Sequence, residues 1–460
     1  MTGALWTAEA LRGATGGALD YNVTVRGVAI DSRDIAPGDL FVALRAERDG
    51  HDFAADAFAR GAACAMVDRA VTGGPLLRVA DTLEGLTALG AAARARAAAE
   101  VIAVTGSVGK TTTKDMLRVA LAALGRVHAA AASHNNQWGV PLTLARLPPP
   151  ADFAVIEIGM NNRGEIAPLA QLARPHIAVI TTIGSAHIGH LGDQEAIAEE
   201  KGDILNGVEA HGTAVLPADS PFFARLSARA QAAGIRVIGH GESPGAEARL
   251  LTYAGDAEGG RAEYLVGGER MIVELGAPGR HVALNGAAVL GTVLALGLSV
   301  RRACSALAAF GAGAGRGRRL PIRVPGGEAL LIDGSYNAST ASIRAALAVL
   351  AAQPARRRIA VLGEMRELGP HGPALHAELA PDVAAVCDLT FSCGELMAHL
   401  DGALPEARRG AHVAHSALLV PLLRTALRPG DAVLVKGSLG SRMALVVEAL
   451  SRAEDGSAAA

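Results

Sequence analysis

Val101-Ile102-Ala103-Val104-Thr105-Gly106-Ser107-Val108-Gly109-Lys110-Thr111-Thr112 is the stretch that decides the fold of this chain. Its first four residues read as a short buried strand. Gly106 and Gly109 supply a turn, and a helix is predicted from Thr112 to Leu124. A strand, a Gly-rich loop ending in Lys-Thr and a helix, in that order, form a phosphate-binding loop. Glycines let backbone N–H groups turn inward around phosphate oxygens, and the helix N-terminus adds a favourable dipole. Gly106, Ser107, Val108, Gly109, Lys110, Thr111 and Thr112 are therefore the candidate nucleotide site. Lys110 can reach the terminal phosphates, and the Thr111 hydroxyl can serve Mg²⁺. The longer form of the motif wants Gly at the position held by Val104, so the match is to a shorter G-x-x-G-K-T form. A Gly-rich turn with a surface lysine is the plain alternative. It explains the agreement of strand, loop, Lys, Thr and helix less well.

Working outward, Ala154-Val155-Ile156-Glu157-Ile158 and Ile177-Ala178-Val179-Ile180 read as two more buried strands. Continuous apolar strands alternating with helices predict a parallel sheet covered on both faces. This central unit is assigned to 98–312, with an antiparallel stretch near 245–275. Residues 1–97 alternate short apolar runs (Val28-Ala29-Ile30, Leu40 to Leu44, Ala65-Met66-Val67) with turns, a helical stretch from Phe53 to Arg60 and a helix from Thr82 to Ala99. A linker at Gly311 to Gly315 leads into 313–460. There strands at Leu330–Ile332, Ile359–Leu362, Leu389–Phe391 and Ala432–Val435 alternate with helices. The expected class is α/β with three domains: a small N-terminal α/β domain, a central P-loop ATPase domain with a mostly parallel sheet, and a C-terminal Rossmann-like domain. The tail after Arg452 is expected to fray.

Composition narrows the classes of function. A formal charge of −2 over 460 residues gives no global basis for binding nucleic acid or a membrane surface. Four cysteines without a C-x-x-C pair fit a reducing compartment, so the chain is expected to be cytoplasmic. Met1 to Leu11 lacks the basic and apolar regions of a signal peptide. The uncharged run from Val282 to Val300 has the length of a membrane span. Its Gly content, Asn285 and Gly297 favour a buried helix, followed by a second helix capped at Ser299.

Three further positions carry candidate chemistry. Glu157 ends a buried strand, where a carboxylate is costly unless paired or bound to a metal. His187 and His190 lie three apart beyond another strand, but no third nitrogen or sulfur ligand has zinc spacing. Lys201, in a polar helix, reads by itself as a surface lysine.

Taken in order, TGSVGKTTTK (105–114), SHNNQWGVPLTL (133–144), EIGMNNRGEI (157–166), the His187 segment and EAIAEEKGDI (195–204) resemble the Mur ligase superfamily. DSRDIAPGDLFVALRAERDGHDF (31–53), DGSYNAS (333–339), GEMRELG (363–369) and VLVKGSLGSRM (433–443) extend the resemblance over nearly the whole chain. It implies an ATP-dependent ligase that activates a carboxylate as an acyl phosphate. The implied substrates are UDP-N-acetylmuramoyl-tripeptide and D-alanyl-D-alanine, with a single amino acid or a folate polyglutamate-type substrate as the alternative. It implies Ser32, Arg33, Asn135 and Asn136 as substrate-binding, and Lys110, His187 and Lys201 as catalytic. Thr111, Glu157, His187 and Lys201 would serve two Mg²⁺ ions, Lys201 as a carbamate. Asn285 would read adenine, while Arg316, Asp333, Tyr336 and Asn337 would complete the ATP site. A monomer is expected. The chain departs from the family at Gly334, Ser339 and Thr340, and Ser133 stands where Asn is common. A regulatory GTPase would need a guanine-reading N-K-x-D motif, which is absent.

Overall fold

The computed structural model describes residues 3–452; Met1, Thr2 and the tail predicted to fray lie outside the described residues. At its centre is a nine-stranded sheet. Its spatial order is Val127–Ala129, Phe153–Glu157, Glu100–Thr105, Ile177–Ile180, Thr213–Pro217, Arg236–Gly241, Ala248–Gly255, Gly260–Val266 and Glu269–Leu275. Every neighbouring pair up to Ala248–Gly255 is parallel, and the last two pairings are antiparallel. Ile102 and Val104 pack with Met116, Leu117 and Leu121 on one face. Val101 and Ala103 pack with Val140, Leu144 and Ile166 on the other. This alternation explains why the strand is apolar throughout: both faces are buried.

The helix after Glu100–Thr105, Lys110–Ala122, lies on the first face. The helices after the two flanking strands lie on the opposite face, including Ile166–Ala173 and Gln194–Gly202. Loops diverging this way open a crevice at the carboxyl ends of the strands, which is where open α/β sheets bind ligands. The long apolar run becomes the buried helix Arg280–Ala295, with Gly297 left-handed and Ser299 capping Val300–Leu307. No helix among the described residues is long and apolar enough to cross a membrane.

The N-terminal region holds a parallel sheet of Gly27–Ala29, Asp39–Val42, Cys64–Val67 and Leu76–Arg78. The helical stretch expected from Phe53 resolves into a 3₁₀ turn, Gly50–Phe53, and a short helix, Ala54–Ala59. Helix Thr82–Arg96 starts at Asp81, whose carboxylate accepts from the N–H groups of Leu83 and Glu84. Leu142 and Ala145 of the central helix Gly139–Ala145 belong to this N-terminal core.

The C-terminal sheet runs Arg318–Val324, Gly327–Gly334, Asp431–Lys436, Arg357–Gly363, Leu389–Cys393, Arg409–Val413, antiparallel only at its first pair. Chain leaving Gly327–Gly334 enters helix Thr340–Ala351 on one face. Chain leaving its neighbour Asp431–Lys436 enters helix Ala444–Ser451 on the other. A second crevice results, of about 290 Å³, lined by Ser335, Leu439, Arg442, Ala444, Leu445 and Glu448. All four cysteines are buried and free.

Candidate active site

The phosphate loop is held open by its neighbours. Gly106 has φ 148° and Gly109 has φ 87°. A Cβ at Gly106 would lie 1.9 Å from the Thr181 hydroxyl, and one at Gly109 would lie 2.6 Å from Asn285 Oδ1. Only glycine fits either place. The Thr181-Thr182 pair from the adjacent strand end pins the loop: Ser107 N–H donates to Thr182 O at 2.9 Å, and Thr181 Oγ1 donates to Val108 O at 2.6 Å. Lys110 Nζ arches back to Gly106 O at 2.7 Å. Burial lowers its pKa, Glu157 opposes this, and the Arg316 charge adds to it. An ammonium resting on a carbonyl is free to turn to phosphate oxygens.

Glu157 is 2 % exposed. Thr111 Oγ1 lies 2.9 and 2.8 Å from its two carboxylate oxygens, and Asn135 Nδ2 donates to it at 2.7 Å. Thr111 Oγ1 also lies 2.9 Å from Ser133 Oγ, which accepts from Arg316 Nη2 at 2.8 Å. The Arg316 guanidinium sits 4.2 Å over the Tyr336 ring. One continuous path thus runs from the central strand end to the C-terminal unit. A buried carboxylate beside hydroxyl oxygens matches the donors that Mg²⁺ takes, so these residues fit such an ion. No group of three or more His, Cys, Asp or Glu poised to hold a metal occurs among the described residues.

Lys201 is buried completely, which corrects the surface reading of its helix. Its Nζ makes no hydrogen bond among the described residues. Its neighbour Glu200 spends its carboxylate on the N–H groups of Gly164 and Ile166, at 2.7 and 2.9 Å. Burial and the nearby Lys110 charge hold the Lys201 amine well below the usual lysine range. Polar residues on its helix hid this, because the burying partners come from elsewhere in the chain.

His187 is left-handed, with φ 68°, and its buried Nδ1 is in ion-pair contact with Glu367, from the GEMRELG segment. Asp333 accepts from Gly315 N–H at 2.7 Å and from Ser335 Oγ at 2.6 Å, and so fixes the turn that presents Arg316. Asn337 O accepts from Lys436 Nζ at 2.8 Å. Thr112, His281 and Arg316 line a narrow cleft, while Asn285, one helical turn beyond His281, lies against Gly109 of the phosphate loop. Burial and the Lys436 charge bring His281 down to about 4.

Three family descriptions match this chain: the Mur ligase family catalytic domain over residues 24–132, the Mur ligase middle domain over 104–293, and the Mur ligase glutamate ligase domain over 318–439. The UDP-N-acetylmuramoyl-tripeptide–D-alanyl-D-alanine ligase of Synechocystis sp. is 36% identical over 94% of this chain and 93% of its own. The chain belongs to the Mur ligase family. The enzyme of the same name from Escherichia coli is 34% identical, over 93% of this chain and 94% of that one. Among solved structures, MurF from Acinetobacter baumannii superposes with a TM-score of 0.84 at 30% identity, covering 97% of this chain and 98% of that one. MurF ligase from Thermotoga maritima in complex with ADP gives 0.77 at 26% identity, covering 93% and 97%.

This Mur ligase places the other expected residues apart from the phosphate loop. Ser32 is buried, while Arg33 is exposed and held on Asp31. Asn136 Oδ1 accepts from the N–H groups of Trp138 and Gly139, at 3.2 and 3.0 Å, and so starts helix Gly139–Ala145. Ser339 accounts for itself: it forms a capping box with Ser342 at the start of helix Thr340–Ala351. Ser and Asn serve equally as N-caps, so this departure preserves the local structure. Lys114, one turn after Lys110, was not singled out by the sequence reading. Its buried ammonium donates to Ala130 O at 2.7 Å and Ala132 O at 3.3 Å, holding the segment that delivers Ser133.

Proposed function

We propose that this Mur ligase joins D-alanyl-D-alanine to UDP-N-acetylmuramoyl-tripeptide at the expense of ATP, giving the pentapeptide precursor of the cell wall, ADP and phosphate. The observation that carries the ligase reading is the path Glu157–Thr111–Ser133–Arg316, which joins the phosphate loop to the C-terminal unit. The choice of dipeptide is supported by full-length relatives at 30–36% identity that are named for it.

A carboxylate does not condense with an amine at neutral pH unless it is activated. The tripeptide carboxylate oxygen attacks the γ-phosphorus and ADP leaves. The dipeptide amine then attacks the acyl carbon, the C–O bond to the phosphate breaks, phosphate leaves with that electron pair, and the nitrogen releases a proton to solvent. Phosphoryl transfer needs in-line positioning and positive charge around spread negative charge. Lys110, the loop N–H groups and Arg316 are this chain's own sources of both. Thr111 and Glu157, with His187 as a further ligand, would hold Mg²⁺, which supplies further positive charge at the phosphates. Asn285 would read adenine, with Asp333, Tyr336 and Asn337 framing the nucleotide from the other side. Ser32, Arg33, Asn135 and Asn136 would meet the UDP-sugar precursor. The second crevice suits the dipeptide: Leu439 and Leu445 offer apolar walls for two methyl groups and Arg442 a partner for a carboxylate.

Lys201 is proposed to carry a carbamate. A neutral buried amine can attack CO₂, losing one proton to solvent, and the product is a carboxylate-like group beside Lys110. The unpartnered Nζ supports this. Lys201→Ala should turn over poorly and recover in part with a short added carboxylate. Full activity without it would remove the carbamate from the account.

The deciding experiment is phosphate release from ATP with Mg²⁺ and UDP-N-acetylmuramoyl-tripeptide, comparing D-alanyl-D-alanine with single amino acids. Release that needs the dipeptide is expected. Release with a single amino acid and a shorter precursor would instead assign a sister activity.

A further inference from the structure

Glu367 reaches the central unit from a loop of the C-terminal unit. Its carboxylate lies within ion-pair distance of Nδ1 of His187, an atom shut off from solvent that makes no other hydrogen bond among the described residues. The backbone is tied as well: Gly189 N–H donates to Glu367 O at 2.9 Å. Both partners sit in left-handed backbone, His187 at φ 68° and Glu367 at φ 64°. Such conformations are costly for residues with a Cβ and persist where the surroundings over-determine them. Here a close approach does so. A Cβ at Gly189 would lie 2.4 Å from Gly369 N, so the two loops touch backbone to backbone. Ile188, between His187 and Gly189, packs against the cores of both units.

We infer that Glu367 is a positioning residue for His187, and that it acts only while the C-terminal unit is docked. An imidazole has two nitrogens, and a carboxylate on one fixes the ring plane and keeps the proton on that side. With Nδ1 claimed by Glu367, Nε2 is the atom left for chemistry. The two loops make this geometry conditional. Separating the units removes the carboxylate, the Gly189–Glu367 hydrogen bond and the Ile188 contact together. The site is therefore assembled by docking. The inference rests on the role given to His187 in the ligase reading, and the test separates the two.

The experiment uses the full chain and has two readouts. In steady-state assays, Glu367→Ala is expected to lower kcat about 10- to 100-fold, the range seen for groups that orient an imidazole. KM for the precursor and for the dipeptide should stay within about twofold, and the thermal midpoint should not move. Glu367→Gln, which keeps an acceptor oxygen, should recover part of the loss. The second readout is ¹⁵N NMR of the His187 ring in the protein without substrates. Wild type should carry the proton on Nδ1, and Glu367→Ala should show exchange between the two nitrogens. Gly189→Ala keeps Glu367 in the chain but forces its loop, and the carboxylate with it, away from His187, so it should reproduce the same ring signal. A wild-type kcat, or an unchanged ring, in Glu367→Ala overturns the positioning role. An unchanged ring in a folded Gly189→Ala overturns its dependence on docking. Wild-type protein without dipeptide-dependent phosphate release would instead sink the ligase reading.

Discussion

Trp6 and Glu367 both cross to the central unit, one from each end of the chain, and they cross differently. Trp6 is 2 % exposed and donates from Nε1 to Ala145 O at 2.9 Å. Around it Leu142 and Ala145 complete the N-terminal core, and Arg96 covers the indole ring at 3.7 Å while donating to Leu5 O. Glu367 belongs to a set of separate polar contacts: His187, Gly189 N–H, and the Arg316–Ser133 bond. The first joint is a shared hydrophobic core, which keeps two units moving as one body. The second shares no core residue of this kind: it joins those polar contacts to one partly buried apolar residue, Ile188, as the more polar interfaces between domains do. One of its groups, Arg316, is also proposed above to engage phosphate oxygens. A nucleotide can therefore replace the contacts that hold this joint, and closure can be coupled to binding.

The comparison can be broken by variants on either side. The largest effect is expected from Arg316→Ala. Removing one donor aimed at developing charge costs about 100- to 1000-fold in turnover. The thermal midpoint should stay near wild type, since the residue joins no core. A large drop in the midpoint would make the C-terminal joint structural after all. Trp6→Ala should do the reverse. Loss of a buried Trp costs about 3–5 kcal/mol of stability, read by denaturant unfolding, with turnover per folded molecule retained.

A smaller effect depends on pH. Burial, with the Arg316 charge, brings Lys436 down to about 8, while Asp333 opposes the shift. An unfolded lysine titrates near ~10.4. Between those values the unfolded chain holds more protons, so stability rises with pH there. Below about 8 the cost of the buried cation is present in full. Unfolding curves of Lys436→Met should lack this alkaline rise, and a rise of equal size in the variant would discard the crowded-cation picture. The smallest effect is expected at Arg33, exposed and paired with Asp31. Arg33→Ala should leave the thermal midpoint unchanged and raise KM for the UDP precursor alone. An unchanged KM would remove it from the substrate site.

Much of this was legible in the sequence, for a physical reason. The phosphate loop, its strand and its helix are contiguous, so one stretch of chain states the local structure and the chemistry together. Glu157 could be found because a carboxylate in an apolar strand needs a reason. Lys201 could not be read from its own helix, because the residues that bury it are distant in sequence. Neither could Glu367 or Lys114, whose roles arise from docking and from a carbonyl across the sheet end. The strands Thr213–Pro217 and Arg236–Gly241 were missed because their apolar runs, Ala214-Val215-Leu216 and Val237-Ile238, are cut short by Pro217 and by Gly239-His240-Gly241. The Ser339 departure is explained only by the fold, where the residue is the N-cap of a helix, a position that serine and asparagine fill about equally well.

Two N–H groups test the contrast between the joints directly. The amide of Gly189 bonds across the C-terminal joint, and the indole of Trp6 bonds across the N-terminal one. Hydrogen exchange at both sites should be followed by NMR, with and without Mg²⁺ and a non-hydrolysable ATP analogue. The account predicts that Gly189 exchanges faster than Trp6 in the free protein and slows sharply with nucleotide, while Trp6 does not respond. Equal protection at both sites, or a Gly189 amide indifferent to nucleotide, would contradict it.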